Sequence, residues 1–472
     1  MNRRIVGLET EYGVVVVPTA HPHADAEPDK DPTLPTVDEA VTLMFAATPN
    51  ANRTTNHFLR NGSRLYVDIG SHPEYAGAEC DNLRDVVAND LAGDLLLADL
   101  AQTANASLTG RGVPARLHVL RNNVDSVGNT FGCHENYQVP RDVDFDKLTA
   151  AMTAFLVTRP VLTGCGHVVI DRDGRGQFAF STRAEHIGST TSADPTKSRP
   201  LINTKDEPHA DPGLWRRLHV LSGDSSVCET TTALKIGWTC LVLDLLETGA
   251  DLTGLVPLDP LAAMRGFNTD LSSTVSVPTR DGRRLRAVDI QEEFLTRVLA
   301  RPATEGSTAR GTEATWVLDL VADGLDALRS GRHEVVQTRL DWAIKRRLLT
   351  EYADGRGLDL ADPRVARLAF AYHDVDPRSG LAPALRAGGH MQSFVTQDEV
   401  QAARQTPPQT TRARVRGDFV AWADARGYQA SVDWSSVRLN VPVGPQVDLP
   451  DASASSSPQM AAMRARFDDA PA

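Results

Sequence analysis

The sequence predicts an α+β fold built on a largely antiparallel sheet, and three observations carry that prediction. Strand-like and helix-like runs come in mixed order, without regular βαβ alternation. Asn61-Gly62 lies between two strand-like runs in HFLRNGSRLYVDIG, the strongest short-range hairpin signal in the chain. From about Val288 to Ala371 the pattern turns helical, which marks a helical flank beside the sheet.

Taken in order, residues 4–17 (RIVGLETEYGVVVV) are strand-like in their β-branched content. The stretch 18–36, rich in Pro, Asp and His, reads as a loop or insertion. VDEAVTLMFAA is a short helix, and the hairpin follows; within Ser71-His72-Pro73-Glu74-Tyr75, Pro73 limits ladder pairing and should mark a strand end or a bulge. Leu83 to about Leu108 has apolar residues at helical spacing and predicts one long amphipathic helix. RLHVLRNN, GHVVI and QFAFS predict further strands, and DIQEEFLTRVLA, TWVLDLVADGLDAL and EVVQTRLDWAIKRRLLTEY predict helices. A smaller unit starts near Thr396, with helices in TQDEVQAARQ and RARVRGDFVAWADARG and a strand in SVDWSSVRLN. The organisation read from this is a catalytic domain over 1–395, mainly helical over 288–371, a small C-terminal domain over 396–449, and a flexible tail over 450–472. Within that tail MAAMRARF could form a short helix.

Composition narrows the function classes. The five cysteines are odd in number and form no Cys-x-x-Cys pair, so neither a disulfide framework nor a thiolate zinc site is indicated. Glu9 and Glu11 interrupt the apolar stretch at the start, and no later run approaches a membrane span, so the reading is a cytoplasmic protein without a membrane partner. A net charge of −12 argues against broad nucleic-acid binding, which needs clustered Lys and Arg. A phosphate loop of the G-x-x-x-x-G-K-[ST] type, H-E-x-x-H and G-x-S-x-G are all missing.

Four constellations could carry chemistry. Glu9 and Glu11, two apart on a strand, share one face; they would suit a hard divalent cation, or form a solvated pair on an exposed sheet. Arg64, Tyr66 and Asp68 likewise share a face, with Glu74 just beyond, and would hold a triphosphate with its metal or make a surface salt-bridge ladder. Asn122-Asn123-Val124-Asp125 with Gly132-Cys133-His134-Glu135-Asn136-Tyr137 would converge on a ligand or serve as turn chemistry. The dense mixture from Asn203 to Asp211, with Arg216, Arg217 and His219, would offset phosphate charge or form an exposed ion-pair loop.

Together, GLETEYG, RNGSRLYVDIGSHPEYAGAECDNL, NNVDSVGNTFGCHENY, SRPLINTKDEPHAD, RRLHVLSGD and PPQTTRARVRG are similar in order and spacing to the Pup ligase family (proteasome accessory factor A). The resemblance runs from about Arg3 to Asn440. It implies a glutamine synthetase-like fold, in which a curved antiparallel sheet cradles ATP and a small C-terminal domain packs against it. It also implies the activity: ATP- and Mg²⁺-dependent phosphorylation of the C-terminal glutamate side chain of Pup, then transfer to a lysine of a target protein for proteasomal degradation. Carried over by matching positions, the resemblance assigns Glu9, Tyr66 and Glu74 to Mg²⁺, Arg64 and Trp434 to ATP, and Asp68 to the catalytic proton acceptor. Gly77 stands where the family often has a nucleotide-contacting Thr, Lys205 replaces an Arg, and GSTTSADPTKSRP replaces a Trp-Glu-containing loop. Lys cannot reproduce the bidentate pairing of Arg. The homologous Pup deamidase/depupylase shares nearly all these blocks but typically carries a long extra loop before the hairpin, where this chain has only ATPNANRTT. A non-catalytic Pup- or nucleotide-binding homologue is the alternative from another class; retention of Glu9, Asp68 and Glu74 counts against it.

Overall fold

The computed structural model describes residues 2–19, 34–48, 54–125, 128–194, 198–301, 311–441 and 444–468. The chain opens with β1 (Val6–Glu11), β2 (Gly13–Pro18), β3 (Asn56–Phe58), β4 (Arg64–Asp68), β5 (His72–Ala76) and β6 (Ala115–Leu120). Then come β7 (Cys133–Pro140), β8 (His167–Ile170), β9 (Gly176–Ala179), β10 (Ser189–Ser192), β11 (Pro200–Asn203) and β12 (Trp215–Gly223). Eight of these form the main sheet in the order β10-β11-β12-β7-β1-β5-β4-β3, antiparallel throughout except for the β10–β11 pair. The predicted mixed architecture on a mainly antiparallel sheet is the one observed.

The strand-like run 4–17 is two strands. Tyr12 is fully buried at the break, and beyond it β2 leaves the main sheet to pair with β6. In β1 the alternation buries Leu8 and Thr10 on one face and turns Glu9 and Glu11 to the other. The hairpin forms as predicted, with Phe58 opposite Arg64 and Gly62 in the left-handed region at φ 82°. Pro73 is a correction, for it lies inside β5, opposite Val67. Its carbonyl accepts from Tyr12 N at 2.9 Å, so its side of β5 faces the point where β1 has already ended and no N–H is required.

The apolar face of the sheet packs on helices. Leu83–Gly110, capped by the Asn82 side chain on Asp85 N, is the long helix the spacing predicts. Helices Ala287–Ala300 and Thr312–Ser330 also match their runs, whereas EVVQTRLD starts as a single turn at His333–Val335 and the helix begins only at Asp341. Two helices escape periodicity. Phe145–Thr158 and Glu229–Leu246 are buried almost all round, the latter at every residue, so neither has a polar stripe to reveal it.

The hairpin β13 (Ser276–Pro278) and β14 (Arg284–Arg286) is a separate two-stranded sheet, and the C-terminal segment carries a three-stranded one, β15 (Ala430–Asp433), β16 (Ser436–Leu439) and β17 (Gln446–Asp448). Residues 450–468, read as tail, differ from that expectation. Helix Pro458–Asp468 buries Met460 and Met463 against a cluster with Phe419, Trp422 and Val437, and Trp422 Nε1 donates to Asp468 at 2.8 Å. The predicted insertion falls mostly at 20–33, outside the described residues, as do 49–53 of the short approach to the hairpin and 195–197 of the altered loop.

Candidate active site

Register decides what meets on the polar face. Across β1, β5 and β4, Glu11 lies opposite Glu74 and Glu74 opposite Tyr66; Glu9 lies opposite Ala76 and Ala76 opposite Arg64. On the other side Glu9 faces His134 of β7, and Asn136 faces His219 of β12. GCHENY is therefore a strand at the centre of the sheet and not a glycine turn, and Arg216, Arg217 and His219 belong to its neighbour β12 rather than to a loop. All four constellations contribute residues that lie side by side, because the strands that carry them are hydrogen-bonded neighbours.

The carboxylates form two groups whose potential ligand atoms lie within 4.8 Å of one another: Glu11 with Asp68 and Glu74, and Glu9 with His134 and His219. Asn136 Nδ2 donates to Glu9 Oε1 at 2.9 Å, and His134 Nδ1 lies 3.4 Å from its Oε2. Burial pushes the Glu9 carboxyl upward, but His134, His219 and Arg217 outweigh it and hold the group well below the usual carboxylate range. Glu74 goes the other way, raised well above that range by burial and then by the charges of Glu9 and Glu11. Its Oε1 is buried and finds no hydrogen-bond partner among the described residues. Tyr66 stands opposite Glu74, and its pKa is raised by burial and then by Glu74 and Glu9, so it stays protonated. Burial lowers the His219 imidazole pKa, against the pull of Glu9.

A hard divalent cation fits this donor set. An orphaned buried carboxylate oxygen beside two further carboxylates is a cost that positive charge removes, and oxygen donors are the preference of Mg²⁺. The second group mixes one carboxylate with two imidazoles, a set that also suits borderline cations.

Beside the carboxylates opens a cavity between β1, β7 and the C-terminal segment. Glu9, Arg217, Arg412 and Trp434 line it, over a floor that includes Gly7 and Gly77. A Cβ on Gly77 would stand 3.2 Å from Leu8 O and 3.7 Å from Oδ1 of Asn89, a buried residue of the long helix. Trp434 sits in the β15–β16 turn, edge-on to Phe58 with ring centroids 5.1 Å apart. Arg64 lies close by, its Nε donating to Asn56 Oδ1 at 2.8 Å and its guanidinium 4.2 Å from the Tyr66 ring centre.

Glu9, Arg64, Tyr66, Asp68, Glu74, Gly77 and Trp434 are thus brought to one region. Lys205 is not drawn into the carboxylate group; it pairs with Glu207 at 2.5 Å and is 58% exposed. Glu11, His134, Asn136, Arg217 and His219 complete the face, and only the pairing of β1 with β7 and β7 with β12 could have joined them. A buried ion pair was also missed: Arg412 and Arg416 close on Glu79, with Arg412 Nε at 2.8 Å and Arg416 Nη1 at 2.9 Å from Oε1.

Comparison with known proteins gives one result at every level. The family model described as Pup-ligase protein matches residues 4–438. The Pup–protein ligase of Paenarthrobacter aurescens is 42% identical over 93% of this chain and 94% of its own length. That of Xylanimonas cellulosilytica is 44% identical over the same shares. A crystal structure of the complex between prokaryotic ubiquitin-like protein Pup and its ligase PafA superposes with a TM-score of 0.90 at 34% identity, covering 99% of this chain and 92% of that one. The structure of the Pup ligase PafA with ADP gives 0.81 at 36% identity, covering 88% and 91%.

Proposed function

Because this chain belongs to the Pup-ligase protein family, we propose that its polar sheet face joins the C-terminal glutamate of Pup to lysines of target proteins at the expense of ATP. The observation that carries this reading is the carboxylate group on β1, β4 and β5, set beside an open cavity lined by Glu9, Arg217, Arg412 and Trp434.

A γ-carboxylate is a poor electrophile until its oxygen becomes a leaving group. Its oxygen attacks the terminal phosphorus of ATP and ADP departs; the lysine nitrogen then attacks the acyl carbon, phosphate departs, and a base takes the amine proton. We assign that base to Asp68, whose carboxylate lies at the edge of the cluster on the strand that also carries Arg64. Glu74, with Glu11 beside it, and Glu9 from the adjoining group would hold Mg²⁺, and Tyr66, opposite Glu74, would complete its surroundings. When bound, the metal would neutralise carboxylate and phosphate charge together. Trp434 and Gly77, which line the cavity, would bound the nucleotide with Arg64 nearby, and Arg217 on the same lining would offset phosphate charge. The cytoplasm is the compartment this reading requires, in keeping with five buried, unbridged cysteines.

The test supplies Pup ending in Glu, Pup ending in Gln and a preformed conjugate in parallel, with ATP and a lysine-bearing target. A new isopeptide bond from Pup-Glu that depends on ATP and on Mg²⁺ or Mn²⁺, and is indifferent to a zinc-selective chelator, is the expected result. Deamidation or conjugate cleavage with no new bond would transfer the chain to the hydrolase branch.

A further inference from the structure

A second charged layer lies directly behind the carboxylate face. Thr10 and Tyr12 flank Glu11 on β1 and at its end, and both are completely buried. Thr10 Oγ1 donates to Asp90 Oδ1 at 3.3 Å, and the Tyr12 hydroxyl donates to Asp94 Oδ1 at 2.7 Å. Asp90 and Asp94 are one turn apart on helix Leu83–Gly110, so both face the strand. Arg121, just past β6 and 1% exposed, closes the layer: Nη1 donates to Asp94 Oδ1 at 2.8 Å and Nη2 bonds Asp90. Its own backbone is held on both sides by His373, whose carbonyl accepts from Arg121 N at 2.8 Å and whose Nδ1 donates to Arg121 O at 2.6 Å. Lys345 Nζ in turn donates to His373 Nε2 at 2.7 Å and to Gly166 O at 2.8 Å, tying the layer to the helical flank.

Stability alone is a weak reason for such a layer. A buried ion network is often no more stabilising than apolar side chains of the same volume, and what it supplies is specified geometry. Geometry is what β1 needs. Glu11 lies opposite Glu74 and within ligand reach of Asp68, with Glu9 two residues back on the same strand, so a small shift of β1 changes the spacing of all these carboxyl groups.

We propose that Arg121 is a positioning residue for the ligation reaction: through Asp90–Thr10 and Asp94–Tyr12 it fixes β1, and with it the separation of Glu9 and Glu11 from Glu74 and Asp68. The proposal rests on the metal-facing reading of Glu9 and Glu74. It assigns a purpose to polar residues on the buried side of a helix that apolar spacing describes as simply amphipathic. No residue of the layer lines the nucleotide cavity, so its effect on metal use is transmitted entirely through the strand.

The experiment compares Tyr12→Phe, Thr10→Val, Arg121→Lys and Glu9→Gln with the wild type. Circular dichroism and thermal melting report the fold, Mn²⁺ binding by electron paramagnetic resonance reports the metal, and kcat and KM for Mg·ATP are measured separately. Tyr12→Phe and Thr10→Val each delete one hydroxyl with little change of volume, so both should fold. Each should weaken Mn²⁺ binding and raise KM by about three- to tenfold, the scale of one lost hydrogen bond. At saturating metal kcat should recover to within about twofold, because the reacting groups themselves are intact. Arg121→Lys, which cannot bridge two aspartates, should exceed either single change. Wild-type Mn²⁺ affinity in folded Tyr12→Phe and Thr10→Val, with Glu9→Gln weakened, overturns the role of Arg121 alone. Wild-type affinity in Glu9→Gln as well overturns the metal reading, and this proposal with it.

Discussion

Single side chains on the polar face differ mainly in protonation, and that difference separates their tasks. Glu9 is kept ionised against burial by two imidazoles and Arg217, while Glu74, a neighbour on the next strand but one register row away, is driven toward its neutral form. The sign for stability follows. A carboxyl raised above its ordinary value of 4.5 favours the fold at low pH and loses that contribution as pH rises toward its folded pKa. Metal-free protein should therefore lose stability on going from about pH 5 to pH 8, and Glu74→Gln should flatten that slope while abolishing the stabilisation given by added Mg²⁺. Melting curves with chelator and with Mg²⁺ across that range check both halves. Asp68→Asn keeps shape and polarity but cannot accept a proton, so it should bind ATP nearly normally and slow transfer to lysine by about 10²- to 10⁴-fold. Single-turnover transfer at the wild-type rate would remove Asp68 from the mechanism. At this scale much was legible: the period of two on β1 and β4 placed Glu9 with Glu11 and Arg64 with Tyr66 and Asp68. The unequal protonation was not, because it arises from burial and from charges on other strands.

At the scale of elements, legibility follows how each segment is buried. The hairpin at Asn61-Gly62 and the helix Leu83–Gly110 announce themselves by turn chemistry and apolar spacing, and both are present. Helix Glu229–Leu246 is hidden because it has no exposed face, and β7 because Gly132-Cys133-His134-Glu135-Asn136 alternates between two polar patterns, one facing the site and one buried against Arg159. The joint between elements was equally invisible. Glu79, just after β5, receives Arg412 and Arg416 from helix Arg412–Ala425, and Arg416 Nη2 also donates to Gly62 O at 2.6 Å in the hairpin turn. Burial raises the Glu79 carboxyl but the two guanidinium groups prevail and hold it at about 2. A depressed carboxyl stabilises above its unfolded value and loses that contribution as pH falls, here between 4.5 and about 2. The difference is worth on the order of 3 kcal/mol. Glu79→Gln should remove an acid-dependent transition seen through Trp434 and Trp422 fluorescence, and should destabilise the protein at pH 7 because two buried arginines lose their counter-charge. A variant with unchanged acid unfolding would show that the pair contributes no linkage.

For the whole molecule, the decisive feature is that the cavity proposed for the nucleotide belongs to neither the sheet nor the C-terminal segment alone. Its floor is β1 and the Gly77 backbone; one wall carries Arg412 and Trp434. Arg416 binds these together, with its guanidinium 4.7 Å from the Trp434 ring centre and 5.6 Å from that of Phe58 in β3. Family resemblance placed Trp434 in this reading, whereas no periodicity connects position 434 to position 9; only the folded chain brings them to one cavity. A ligand that binds such a joint stabilises the folded protein by mass action, about 2.7 kcal/mol at a hundred times its Kd. Trp434→Ala should therefore lose most of the rise in Tm that ADP gives the wild type, and Trp434→Phe should keep the larger part, since a smaller aromatic face still offers stacking and a partner for Arg416. If Trp434 serves only as packing between Phe58 and Arg416, the alanine variant will melt lower by the same amount with and without nucleotide. Thermal melts at matched ADP occupancy, with affinity taken from calorimetry, separate the two, because packing shifts both curves equally while a nucleotide wall shifts only the difference between them.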